Sequence, residues 1–180
     1  MTDKKIKVRD LNIDDINEDL LNYFNRYQEV KKVWRIENDK KVIKDISFIE
    51  QWNYIEKRNI IKGFREILNN NGIVLGAFEE GRVIAFASLS STPLGEKREY
   101  LQLWELHVSC DFRGRGIGKM LFYKCVEKAK ELGAEKLYIS SHSSIETISF
   151  YTRMGCVDAQ WIYKQQVELE PYDCQLEYVL

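Results

Sequence analysis

The most chemically specific stretch of the 180-residue chain is Arg113-Gly114-Arg115-Gly116-Ile117-Gly118-Lys119. Its closely spaced glycines let backbone N–H groups approach a ligand without interference from side chains. A helix starting here adds the positive end of its dipole. With Arg113, Arg115 and Lys119 on the same turn, the segment suits a ligand carrying several negative charges, a pyrophosphate above all. Two nucleotide loops are excluded by spacing. A Walker loop requires glycine where Arg113 stands and Ser or Thr where Met120 stands. A dinucleotide fingerprint requires its third glycine where Lys119 stands, and it opens a fold instead of following several earlier elements.

Other groups able to do chemistry lie on either side. Glu105 and His107 precede the glycine loop by a few residues, and Tyr151 follows it. His142 sits among Ser140, Ser141, Ser143 and Ser144, where no GxSxG elbow is present to make a serine nucleophile. Glu105 also has a purely structural reading, an ion pair with Arg82 or Arg98, and His107 one as a core histidine. Cys110, Cys125, Cys156 and Cys174 form no CxxC and have no histidine at zinc-finger spacing, so neither a metal site nor a disulfide framework is expected.

Composition bounds the function classes. With 27 basic against 28 acidic residues and a net charge of -1, the chain has no general field for nucleic acid or an anionic membrane. The hydrophobic share of 44%, with 10 Gly and 2 Pro, is that of a globular protein, and the length predicts a single domain over residues 1–180. The amino terminus carries no apolar stretch of signal-peptide length, and no long apolar run follows. A soluble cytoplasmic protein with reduced thiols is the expectation.

The elements that must position these residues follow from periodicity. Ile6 to Leu11 reads as a strand, followed by a helix capped by Asp14 or Asp15 with Ile16, Leu20, Leu21 and Phe24 on one face. Val30 to Asn71 reads as one or two helices, the later from Ile46 to Leu68. Its aromatic residues Trp34, Phe48, Trp52 and Tyr54 are expected in core and lid, with part of the segment lining a pocket. Ile73–Phe78 and Arg82–Ser90 read as a hairpin. Tyr100–Val108 alternates Leu101, Leu103, Glu105 and His107 on one face against Gln102, Trp104, Leu106 and Val108 on the other. Ile117 to Leu132 is a helix ended by Gly133, Glu135–Ser141 a strand, and Ser143 with Glu146 a capping box for a helix running to Gly155. Trp161–Val167 and Gln175–Leu180 read as two tail strands. The order β α α β β β α β α β β contains one β-α-β crossover, which makes its two strands parallel within a mixed, mostly antiparallel sheet.

At this point the chain resembles the GCN5-related N-acetyltransferase (GNAT) family. Arg113 to Gly118 matches that family's Arg or Gln, two residues, Gly, one residue, Gly or Ala, between a strand and a helix. Phe150-Tyr151-Thr152-Arg153-Met154-Gly155-Cys156 is similar to its aromatic-Tyr, two to three residues, Gly-Phe segment. The resemblance implies an α/β acyl-CoA N-acyltransferase fold whose sheet is splayed between the Val108 and Tyr138 strands, with helices on both faces. It implies acetyl-CoA as cosubstrate, an amine as partner, and no metal. Two positions depart from the pattern. Ser144 stands where the family often has Asn, and Cys156 where it often has Phe.

Roles can then be assigned to residues. Backbone N–H groups from Arg113 to Lys119, with Gly114, Arg115, Gly116, Ile117 and Gly118 between them, would hold the pyrophosphate. The edge at Leu106, His107 and Val108 would pair with the pantetheine, near which His142 and Ser144 are placed, and a backbone N–H near Val108 would face the oxyanion. An alkylamine titrates near ~10.4 and a carboxylate near ~4.3, so Glu105 would take the amine's proton with a raised pKa or through water, with His107 as its rival. Tyr151, with a phenol near ~10 against a thiol near ~8.5, would donate to the departing sulfur and face it. Aminoglycosides, polyamines, small metabolites and protein amino termini all offer a suitable amine. Acidic residues in Glu168 to Asp173 would draw a cationic one, and the tail strands offer an edge for a homodimer. A non-catalytic acetyl-CoA or CoA sensor, or an interaction domain, is the alternative; nucleic acid and membrane partners are not expected.

Overall fold

Strand β6 (Tyr100–Val108) is buried over its first four residues and partly exposed over the rest, and the sheet changes at the same place. The computed structural model describes residues 6–38 and 40–180. In it, β6 runs parallel to β7 (Lys136–Ser141) only through Tyr100↔Lys136, Leu101↔Leu137 and Gln102↔Tyr138. Beyond that point β6 stays with β5 (Arg82–Leu89) as far as Val108↔Ala85, and β7 stays with β9 (Cys174–Val179) as far as Ser141↔Cys174. The two parallel strands therefore open like a V toward their C-terminal ends.

A buried polar clamp holds the closed end. Tyr100 Oη donates to Glu177 at 2.6 Å, and Lys136 Nζ reaches the same carboxylate at 2.9 Å. Burial alone would raise the Glu177 carboxyl, but these two donors and the Gln160 N–H outweigh it and hold it below the usual range.

Among the described residues seven strands make the main sheet in the order β1-β4-β5-β6-β7-β9-β8, with β1 at Lys7–Asp10, β4 at Ile73–Glu79 and β8 at Val157–Asp158. Every pair except β6 with β7 is antiparallel. Helices cover both faces. On one side lies α2 (Ile117–Glu131), burying Leu121, Phe122, Cys125 and Ala129, beside α3 (Ile145–Met154), which buries Tyr151. On the other side α1 (Tyr54–Asn69) packs Ile61 and Phe64 against Val74 and Phe86. The fold is the mixed α/β sheet with one parallel pair that the crossover and the resemblance implied. Among the described residues no helix is long and apolar enough to cross a membrane.

The first third differs from its periodicity. Residues 28–50 form a two-stranded ribbon, β2 (Gln28–Glu37) against β3 (Lys40–Glu50), where helix was expected. Val30 and Val33 are fully buried. Asn38, at a φ of 49°, takes the left-handed turn conformation that asparagine tolerates. The helix expected at Ile46–Leu68 begins only at Tyr54, because Asn53 and Glu56 form a reciprocal capping box. After β1, Asn12 caps one turn of 3₁₀ helix at Ile13–Asp15, and no α-helix continues from it. The Asn17 side chain accepts from the Asp19 N–H, a local turn that competes with helix. Ile16, Leu21 and Phe24 are buried all the same. In the tail, Trp161–Val167 is not a strand. Trp161 stacks on Tyr100 and Tyr163, and α4 (Lys164–Leu169) follows.

Candidate active site

Where the V opens, a cleft of about 1090 Å³ runs between the C-terminal ends of β6 and β7 and the start of α2. The glycine loop forms one wall. Gly114 and Gly116 have φ of 76° and 77°, a backbone conformation that favours glycine, and a Cβ at either would meet nothing within 4 Å. Gly116 is the N-cap of α2, and the helix's first backbone bond runs from Met120 N–H to Gly116 O at 3.0 Å. The N–H groups of Ile117, Gly118 and Lys119 therefore lack intrahelical acceptors and form, with the open space, an anion cradle.

The cation cluster expected around this cradle is mostly committed elsewhere. Arg113 donates to the carbonyls of Val108 (3.0 Å), Tyr27 (2.8 Å) and Arg26 (3.1 Å). Arg115 donates to Asp111 O and lies over the Phe112 ring, away from the cleft lining. Lys119 lines the cleft.

Glu105 does not share a face with Leu101 and Leu103. The β5–β6 register steps from Ser88↔Glu105 to Leu89↔Leu103, which makes Trp104 an extra residue, a β-bulge. Leu101 and Leu103 thus join Leu106 and Val108 against the α2 side, whereas the His107 ring meets Trp52 and Phe86 on the α1 side. His107 Nε2 stands 2.7 Å from the Glu105 carboxylate, so the two candidate bases form one hydrogen-bonded pair in place of the ion pair to Arg82 or Arg98. Both line the cleft, as do Leu106 and Val108.

Opposite them, α3 brings in Tyr151. It is 6% exposed among Phe122 and Phe150, and burial drives its phenol far above the ordinary value, so that it stays protonated. His142 also lines the cleft. Its Nδ1 accepts the Ser144 N–H at 3.2 Å, which leaves Nε2 protonated and 3.6 Å from Glu50. Burial lowers the His142 pKa, and Arg26 and Arg35 act in the same direction against the opposing pull of Glu50. Ser144 is not part of the lining. Fully buried, it is the N-cap of α3 in place of Ser143, accepting from Thr147 N–H at 3.3 Å and from Gln28 at 3.2 Å.

The ribbon supplies what sequence reading missed. It is pinned to both arms of the V. Cys110 N–H reaches Asn25 O at 2.8 Å and the Arg113 guanidinium reaches the Arg26 and Tyr27 carbonyls on one side, and Trp34 N–H reaches Ser143 O at 2.8 Å on the other. Its base carries Arg26, Gln28, Glu50 and Trp52 into the cleft. Arg26 is 7% exposed, bonds Gln28 at 3.0 Å and approaches Glu50 at 4.0 Å, yet its Nε has no partner among the described residues. Asp173, from the tail, also lines the cleft, and burial with Glu170 and Glu50 nearby raises its carboxyl to about 6 against a bond from Ser140. The β-branched residues of 30–49 on either side of Asn38 were the available signal for the ribbon. None pointed to Arg26.

A glycine turn with open space before it, a strand edge left unpaired by β7 beyond Gln102, and a protonated tyrosine and a carboxylate lining one cleft together fit an extended, diphosphate-bearing acyl donor.

Comparison with known proteins agrees. A family model described as acetyltransferase (GNAT) family matches residues 22–156. An uncharacterized N-acetyltransferase of Methanocaldococcus jannaschii is 42% identical over 62 residues, a stretch that spans 33% of this chain and 27% of that relative. Among solved structures, a putative streptothricin acetyltransferase from Bacillus anthracis in complex with acetyl coenzyme A superposes with a TM-score of 0.70 at 16% identity, covering 98% of this chain and 97% of that one. A PaiA N-acetyltransferase from Thermoplasma acidophilum in complex with coenzyme A gives 0.61 at 14%, covering 98% and 99%.

Proposed function

Because the chain belongs to the acetyltransferase (GNAT) family, we propose that it transfers an acetyl group from acetyl-CoA to a primary amine of a small molecule or peptide by direct attack. The observation that carries this reading is the convergence of the Gly114–Gly116 cradle, the Glu105–His107 pair and Tyr151 on one cleft at the opening of the β6–β7 V. The diphosphate would lie on the N–H groups at the start of α2, with Lys119 beside it. The acyl arm would follow the β6 edge from Val108 toward Leu106. Glu105, oriented by His107, accepts the amine's proton. A main-chain N–H near Val108 stabilises the charge that develops on the acetyl oxygen. Tyr151, protonated by burial, donates to the leaving thiolate.

Calorimetric titration with acetyl-CoA and with ATP tests the reading, using wild type, Gly116→Asn and Gly116→Asp. Both side chains tolerate a positive φ, so the pair differs chiefly by a charge placed against the cradle. The expected result is micromolar acetyl-CoA binding in wild type, no ATP response, and a far greater loss in Gly116→Asp than in Gly116→Asn. Absence of acetyl-CoA binding overturns the reading. Binding without thiol release across a broad amine panel replaces it with a non-catalytic sensor.

A further inference from the structure

On the α1 side of the sheet lies a second cavity of about 430 Å³, bounded by the C-terminal half of α1, the end of β5 and the Trp104 bulge. It shares Trp104 and Glu105 with the cleft, so the two cavities meet at the candidate base. Ile60, Phe64 and Ile67 give it an apolar wall. Gly63, in the middle of α1, leaves that wall open: an added Cβ would meet nothing within 4 Å. A mid-helix glycine weakens a helix relative to alanine, and no crowding here requires one. Of charged side chains the lining holds Glu66 and Glu105, and no Lys, Arg or His. An anion is therefore disfavoured, and Glu66 is already within 3.8 Å of Lys62.

The second observation is Ser88. The residue lines this cavity and is 1% exposed, and its Oγ has no hydrogen-bond partner among the described residues. Buried hydroxyls are normally satisfied. Ser88 is the cross-strand partner of Glu105, so an acceptor oxygen and a carboxylate stand side by side where the two cavities join.

We propose that this cavity seats the body of the acceptor, a singly charged primary amine with an alkyl or arylalkyl chain, whose ammonium lies between the Ser88 hydroxyl and Glu105. The inference rests on the acetyl-transfer reading, which places the amine at Glu105, and it narrows the acceptor from amines in general to apolar ones. The hydrocarbon lies along Ile60 and Ile67, and Trp104 closes over the junction.

The test uses ethylamine, butylamine, hexylamine, phenethylamine and spermidine with wild type, Gly63→Ala, Gly63→Leu and Ser88→Ala. Direct binding is measured by calorimetry and thiol release in the presence of acetyl-CoA. Wild-type affinity is expected to rise roughly fourfold per added methylene, with spermidine below hexylamine. Gly63→Leu should erase the chain-length dependence and keep acetyl-CoA affinity, with Gly63→Ala as the folded control. Ser88→Ala should weaken every amine several-fold without lowering Tm, since it removes a hydroxyl that bonds nothing among the described residues. Equal affinity along the series, preference for spermidine, or retained chain-length dependence in Gly63→Leu overturns the proposal. If wild type binds acetyl-CoA and shows no chain-length dependence, only this assignment falls. If it does not bind acetyl-CoA, the acetyl-transfer reading falls first.

Discussion

His107 Nε2 and the Glu105 carboxylate are 2.7 Å apart on the same face of β6, held there by a bulge at Trp104 and by the edge of Trp52 against the imidazole. In the proposed reaction one of the two would touch the amine and the other orient it. Glu105 lines both cavities, whereas His107 lines the cleft alone and is packed on two aromatic rings. From that asymmetry we infer that, in the proposed reaction, Glu105 would be the base and His107 the positioning residue. Glu105→Gln is expected to lower kcat about 100-fold or more. His107→Gln should cause a smaller loss, and the double variant should lose less than the product of the two. A Glu105→Gln enzyme with wild-type kcat would rule the assignment out.

Arg113 and Lys119 should separate cleanly. Arg113 spends its guanidinium on three backbone carbonyls that join the ribbon to the end of β6. Lys119 lines the cleft. Arg113→Ala should lower Tm by about 5 °C. Lys119→Ala should leave Tm within a degree or so, weaken acetyl-CoA several-fold and flatten its salt dependence. Thermal melts and salt-dependent titrations read both; a salt slope changed by Arg113→Ala and not by Lys119→Ala would reverse the roles.

The same pair shows what the sequence could reveal. The loop, the crossover and the helix behind it were legible because their signals are local: glycine spacing, a terminator at Gly133, and an apolar face from Ile117 to Ala129. Where Arg113 points was not, because two of its three partners are carbonyls at residues 26 and 27, far away in the chain. The face of Glu105 was misplaced because a bulge depends on the pairing register with β5, which no single strand encodes. The ribbon was lost because its β-branched residues sit among charges at spacings that also fit a helix, and Arg26 and Glu50 became visible as site residues only once it was folded over the V.

Tyr151 carries a prediction free of folding ambiguity, since phenylalanine keeps its ring contacts with Phe122 and Phe150. Burial keeps the phenol protonated through the working range. Tyr151→Phe should lower kcat about 10- to 100-fold with acetyl-CoA affinity unchanged, and wild type should show no loss of rate from tyrosine ionisation up to pH 9. Equal losses in kcat and in acetyl-CoA binding would make Tyr151 a packing residue.

Asp173 gives the cleft a pH-dependent stability. Its folded-state carboxyl sits at about 6 against an ordinary 3.8, because burial penalises the charge and Glu170 and Glu50 add repulsion, while Ser140 Oγ donates to it at 3.0 Å. For a carboxyl raised in this way the folded state holds its proton more tightly than the unfolded state does. The stabilisation is complete below pH 3.8 and is lost as pH climbs through about 6. Asparagine keeps an oxygen for Ser140 and carries no charge to bury. Asp173→Asn should therefore melt with wild type at pH 4 and a few degrees above it at pH 8, with a flatter Tm curve between. Parallel curves for the two proteins from pH 4 to pH 8 would show that this carboxyl is ionised in the fold throughout, and that the acidic end of the cleft is charged whenever an amine arrives.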